Sequence, residues 1–274
     1  MPRQTLHIDG HVHIYPFFDL ATAIGALSKR ISRPIDRSTT AFVWLLTELT
    51  ECRFFDTLFR TESIDGYTVQ KTEKESLKLT PAEPDEPHLY IIAGRQLVSR
   101  ENLEILSLAS TYNAENRVQT AADLIRAVSE HHGVPALNWA PGKWMFSRAH
   151  VVKQVLDQST PGNLLIADST MRPTVWPTPK LMNTAMKRGF KVIAGSDPLP
   201  FRREERLIGS YRFTVNGEFD PDSPAASIRS LLLDPQVEIN RAGRRSGPIL
   251  FAERQWKIMR VKKEFLSDNC WQEP

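Results

Sequence analysis

The sequence predicts a single α/β domain built on parallel strands, and three observations carry that reading. Short β-like runs alternate with helix-like runs along most of the 274 residues. Two units, 120–139 and 179–197, run helix then strand with short connections, as crossover helices between parallel strands require. The length is also that of one (β/α) barrel, which at about 250 residues is routinely a single domain.

The elements follow in order. TLHIDGHVHI (5–14) is the first strand, and the apolar-periodic stretch from Leu20 to Ile31 is the first helix. AFVWLLTE (41–48) is the next strand; HLYIIAG (88–94) and LEILSLAS (103–110) are two more, joined by a polar turn at SREN. TAADLIRAVSEHHG (120–133) is a helix with Thr120 at the N-cap and Gly133 just past its end, and VPALNW (134–139) is the strand after it. Ser147 to Gln158 reads as helix, NLLIAD (163–168) as strand, PKLMNTAMKRG (179–189) as helix and FKVIAGSD (190–197) as strand. Between them, 67–79 alternates apolar and polar residues as a small β-hairpin arm does, and 80–87 is a Pro-rich acidic linker. Residues 216–274 form a C-terminal extension in which 223–233 and 249–264 look helical. One domain therefore spans 1–274.

Composition excludes several function classes. Apolar residues at 41% and charged residues at 24% describe an ordinary globule, not a disordered chain. A net charge of +3 without a basic stripe argues against a nucleic-acid partner. The apolar run AFVWLL (41–46) is far short of the ~20 residues of a membrane span, and no apolar signal core follows Arg3. Cys52 and Cys270 are too few for a disulfide framework or a thiolate zinc site. The expectation is a soluble, cytoplasmic protein with no membrane partner, its oligomeric state left open between monomer and homo-oligomer.

The sharpest chemical signal is Asp9-Gly10-His11-Val12-His13. Alternate side chains of a strand share a face, so Asp9, His11 and His13 project together. Two imidazoles so spaced can ligate one metal, and a carboxylate beside them can orient a ring nitrogen. The second signal is Gly195-Ser196-Asp197 after the run VIA, because barrel chemistry collects at the C-terminal ends of strands. That places Asp197 to meet His11 and His13. Asp168 and Glu48 close two other strands in the same way, and each is equally consistent with a cap or a structural ion pair. The third signal is cationic and aromatic: Arg95, Trp139, Lys143, Arg172 and Arg202 all follow strand ends. Ringed around one mouth, they would hold phosphate or carboxylate oxygens.

With its early D-G-H-V-H strand and late G-S-D strand end, the chain resembles the metal-dependent hydrolases of the PHP (polymerase and histidinol phosphatase) and amidohydrolase superfamilies. Strings close to AGRQLVSRENLEILSLAS, WAPGKW and GSDPLPF also make it similar to a group of PHP-like barrel proteins, over roughly residues 5–215. The resemblance implies a distorted TIM-like barrel of seven or eight strands and hydrolysis of phosphoesters or amides with bound metal. Two departures bear on the metal count. Gln96 stands where those enzymes usually carry a bridging glutamate, and Pro198 and Leu199 follow Asp197 where a histidine is usual. Neutral Gln96 removes one anionic ligand, so a full trinuclear cluster is not expected.

The expected function is thus metal-dependent hydrolysis of a small anionic substrate by a metal-activated water. One divalent ion (zinc, manganese or iron) sits on His11, His13 and Asp197, with Asp168, Asp197 and Glu48 as the catalytic carboxylates. Arg95, Lys143, Arg172, Arg202 and Trp139 bind the substrate. The alternative is a degenerate barrel that binds a small anionic ligand without turnover.

Overall fold

The computed structural model describes residues 3–31, 36, 39–82, 88–114 and 118–260. Most of the acidic linker (83–87), Cys270 and the end of the C-terminal extension (261–274) lie outside the described residues.

The strands form two sheets. The first runs β13 (Asn240–Gly243), β12 (Tyr211–Glu218), β1 (Arg3–Val12), β2 (Thr40–Leu46), β6 (Leu89–Ile92), β5 (Ser76–Pro81), β4 (Tyr67–Glu73) and β3 (Ser63–Ile64). The second runs β11 (Val192–Gly195), β10 (Leu165–Ser169), β9 (Val134–Asn138), β8 (Glu104–Leu108) and β7 (Gly94–Val98). Parallel pairing holds for β1–β2–β6 and for β9–β10–β11. By contrast β12 is antiparallel to β1, and β7–β8–β9 are antiparallel throughout.

These elements form where apolar spacing and caps direct them. In α1 (Leu20–Lys29) the Asp19 carboxylate accepts from the Thr22 amide at 2.7 Å, and the helix lays Ile24 and Leu27 on Phe42 and Trp44 of β2. In α3 (Ala121–Glu130) the Thr120 hydroxyl caps the Asp123 amide at 3.1 Å. With α4 (Ser147–Gln158) and α5 (Lys180–Lys187), α3 covers the outer face of the second sheet, Leu124, Val152 and Met182 meeting Leu137 and Ile166. Between the sheets, Leu6, Ile8, Val43 and Leu45 face Leu106, Ala136, Leu165 and Ile193, and α6 (Pro224–Leu233) adds Ile228 and Leu232. Strand period 2 therefore sends alternate residues of β10 into two different apolar layers. No helix among the described residues is long and apolar enough to cross a membrane.

Three features depart from the sequence reading. The strands are not all parallel and their ladders do not run on into one another: two mixed sheets meet at two seams, and closure into one distorted barrel is not shown. The run at 88–94 explains why: it divides at Ala93, β6 pairing in the first sheet and β7 in the second. At one seam the Glu48 amide donates to the Gly94 carbonyl (3.1 Å) and the Gln96 amide to the Glu48 carbonyl (2.9 Å). At the other, the Asp197 amide donates to the His11 carbonyl at 2.8 Å. Secondly, the hairpin is no arm: β4 and β5 extend the first sheet, and Leu77 and Leu79 are fully buried. Thirdly, α2 (Phe54–Phe59), β12 and β13 are present where no element was expected.

Candidate metal centre

His11 and His13 end β1 and Asp197 follows β11, and their ligand atoms all lie within 4.8 Å of one another. The approach is possible because residue 195 is glycine: a Cβ there would stand 2.3 Å from the His11 Cβ and 2.5 Å from its amide nitrogen. His11 Nε2 is 3.0 Å from His13 Nε2 and 3.0 Å from Gln96 Oε1. Asp197 Oδ1 lies 3.5 Å from His11 Nε2 and 3.7 Å from His13 Nε2. Gln96, which the sequence suggests only as a missing carboxylate, thus brings a neutral oxygen to the cluster.

His11, His13 and Asp197 could hold a metal ion, and Gln96 Oε1 stands beside them. At metal–ligand distances of about 2.0–2.2 Å, neighbouring donors stand about 3.0 Å apart around an octahedral ion and about 3.4 Å apart around a tetrahedral one. Protonation states agree with ligation. Burial, reinforced by His11, pushes His13 down to about 3, so its imidazole is neutral. Burial pushes Asp197 upward, but His11, His13, Arg254 and the Ser169 hydroxyl outweigh it and hold the carboxyl below its usual range. Asp197 is therefore a carboxylate.

Supporting contacts come from elsewhere in the chain. Ser169 donates to Asp197 Oδ2 at 2.9 Å, which leaves Oδ1 toward the histidines. Asp9 was expected to orient an imidazole and does not. Its Oδ1 accepts from the Ser196 amide (2.8 Å) and its Oδ2 from the Gly209 amide (2.7 Å), so it ties β1 to two loops. Nor does His11 Nδ1, buried, have a hydrogen-bond partner. Beyond this shell Arg254, of α7 (Pro248–Arg260), donates to the Asp197 carbonyl at 2.6 Å.

The remaining site residues expected from sequence do not join the cluster: most are held by partners elsewhere, and Arg202 lies at the surface. Asp168 is bound by Arg172 through Nε (2.8 Å) and Nη2 (2.5 Å) and by the Tyr211 hydroxyl (2.9 Å). It is no free base, and Arg172 is no free anion clamp. Glu48 accepts from the Phe54 and Phe55 amides at the start of α2 and faces Arg95 at 3.6 Å. Arg95 in turn holds the Leu49 and Cys52 carbonyls. Trp139 is 1% exposed and packs edge-on against Trp176. Arg202 is exposed at the surface. Of the five expected substrate contacts only Lys143 reaches the cleft described next, and Glu104 neutralises it at 2.7 Å.

A cleft of about 430 Å³ opens on the cluster and is lined by His13, Gln96 and Asp197. Met171, Leu199, Phe201 and Ile258 supply apolar walls, and Tyr15 stacks on His13 with ring centroids 6.2 Å apart. Burial, with the charges of Asp197 and Glu204, holds the Tyr15 hydroxyl far above its usual pKa, so it keeps its proton. The C-terminal extension covers part of the mouth, since Gln255 and Ile258 of α7 line the cleft.

No protein-family model matches the chain, and no curated protein matches it. Among solved structures it is similar to PsfC from Pseudomonas syringae PB-5123, with 14% identity over 94% of this chain and 100% of that one and a TM-score of 0.48. It is also similar to the lesion-specific endonuclease PfuEndoQ from Pyrococcus furiosus, with 10% identity over 88% of this chain and 59% of that one and a TM-score of 0.49. A third is a two-domain protein from Bacteroides vulgatus ATCC 8482 containing a predicted PHP-like metal-dependent phosphoesterase. There identity is 11% over 87% of this chain and 64% of that one, and the TM-score is 0.45.

Proposed function

We propose that this chain is a metal-dependent hydrolase acting on a small substrate that carries a phosphate or carboxylate group. What carries the reading is the meeting of His11 Nε2, His13 Nε2, Gln96 Oε1 and Asp197 Oδ1 at ligand spacing beside a cleft. Split at the Glu48 and Asp197 seams, the two sheets read as halves of a distorted seven-stranded barrel with these donors at one end.

A divalent zinc, manganese or iron ion held there supplies Lewis acidity and a water of lowered pKa. Asp197 is the one carboxylate among the four donors, so a dication leaves the centre with a net positive charge. That excess, rather than an arginine clamp, would draw an anionic group. The protonated Tyr15 hydroxyl serves as a hydrogen-bond donor in the same cleft. Met171, Leu199 and Phe201 exclude bulk water and accept the apolar body of the substrate. Elemental mass spectrometry of chelator-free protein offered zinc or manganese tests the centre. One ion per chain is expected, with loss in a His11→Ala, His13→Ala variant; a metal-free wild type overturns the proposal.

One observation favours the second reading, binding without turnover. Glu48 and Asp168 are tied to arginines, and Glu104, the other carboxylate lining the cleft, is paired with Lys143. Metal-loaded protein that is stabilised by phosphorylated or carboxylated compounds yet hydrolyses none of them supports it over the first.

A further inference from the structure

Arg254 is fully buried, 57 residues along the chain from the aspartate whose carbonyl it holds. Its Nη2 donates to the Asp197 carbonyl at 2.6 Å and lies 3.0 Å from Glu204 Oε2. Its Nη1 donates to the Thr170 hydroxyl at 2.6 Å and to the Ser246 hydroxyl at 3.3 Å. Thr170 in turn donates to the Ser196 carbonyl. One guanidinium therefore spans the ends of β10 and β11 at the residues flanking the cluster.

The backbone of Asp197 explains what such a span is for. Its φ is +51°, in the left-handed region, a conformation that costs a non-glycine residue and is held here by its neighbours. Those neighbours are the His11 carbonyl on its amide, Ser169 on its Oδ2 and Arg254 on its carbonyl. An apolar anchor of similar volume would seat α7 without the large desolvation penalty of burying a cation. A planar fork that reaches several acceptors at once is what fixes a peptide plane.

Resting on the metal reading above, we infer that Arg254 is a positioning residue for the metal ligand Asp197, and that seating of α7 and metal affinity are coupled through it. Binding at Oδ1 favours the Asp197 conformation that Arg254 grips. By reciprocity, the ion then stabilises the docked helix. Gln255 and Ile258, next to Arg254 on α7, carry this coupling to the wall of the cleft.

The test uses the full chain with zinc or manganese, titrated by calorimetry, and cobalt(II) as a spectroscopic probe of coordination. Arg254→Met strands the buried Glu204 carboxylate, so a Glu204→Gln, Arg254→Met double variant accompanies it, with Glu204→Gln alone as control. We expect about 10–100-fold weaker metal binding and an altered cobalt spectrum in both Arg254→Met variants. Arg254→Lys should recover only part of the loss, while Glu204→Gln stays near wild type. In the wild type, metal should slow amide exchange across 248–260; in the double variant it should not. Wild-type affinity and cobalt spectrum in the folded double variant overturn the inference while leaving the metal centre intact. So does exchange in α7 of the wild type that is indifferent to metal. A wild type that binds neither ion overturns both this inference and the function proposed above.

Discussion

A carboxyl buried beside an arginine titrates according to which effect is larger, and at Glu48 it is burial. Desolvation lifts it to about 7, against the opposing pull of Arg95 and of the Phe54 and Phe55 amides. The folded chain therefore holds this proton more tightly than the unfolded chain, whose glutamate titrates at 4.5. Glu48 thus lends stability that is fully present below about 4.5 and is lost as pH rises through about 7. The loss is on the order of 3 kcal/mol. Urea denaturation of wild type and Glu48→Gln across pH 4.5–8 should yield a difference curve that falls over this interval, since glutamine still accepts both amides without titrating. A flat difference curve would mean that Arg95 keeps the carboxylate ionised throughout.

Among the elements, the β4–β5 hairpin shows how a pattern identifies a strand and leaves its neighbours undecided. Alternation in 67–79 marks two strands, and both are present. An arm in solvent and an extension of a sheet have the same alternation, because each has one apolar face. Here the apolar face is covered: Leu77 and Leu79 are fully buried and pack in the cluster that holds Trp44, Phe54 and Ile91. Leu77→Ala should cost about 2–5 kcal/mol by chemical denaturation, the range for a cavity in a core. An exposed arm leucine would change stability by roughly 0.5 kcal/mol or less.

For the molecule as a whole, the centre joins segments far apart in the chain, so filling it should stabilise the entire fold. The donors come from the end of β1 and the residue after it, the middle of β7 and the turn after β11, so they join different sheets. An ion that binds only the folded state adds about 2.7 kcal/mol at a hundredfold excess over its dissociation constant. For a chain of this size that is roughly 5–10 °C in Tm. Calorimetry with and without chelator should show the difference in wild type and none in the His11→Ala, His13→Ala variant. Equal melting temperatures in the wild type would mean that no ion holds the seam.

His11, His13 and Asp197 were legible because an H-x-H spacing on a strand and an acid at a strand end are local facts, carried by period 2 and by the apolar run before each. The βαβ units at 120–197 were legible for the same reason. Charge pairing was not. Asp168 and Arg172 stand four residues apart in plain view, yet their spacing is as suited to a substrate clamp as to the buried pair they make. Gln96 could be recognised as a missing carboxylate but not as a donor, since its placement depends on the chain crossing between sheets at Ala93. Arg254 lies beyond any local pattern, on a helix whose apolar face alone says nothing of what its one buried cation meets. Residue types and periodicity determined which side chains end the strands. Which of them remain free for a ligand was decided only when the two sheets met, because ion pairs and seams form between segments that the sequence holds far apart.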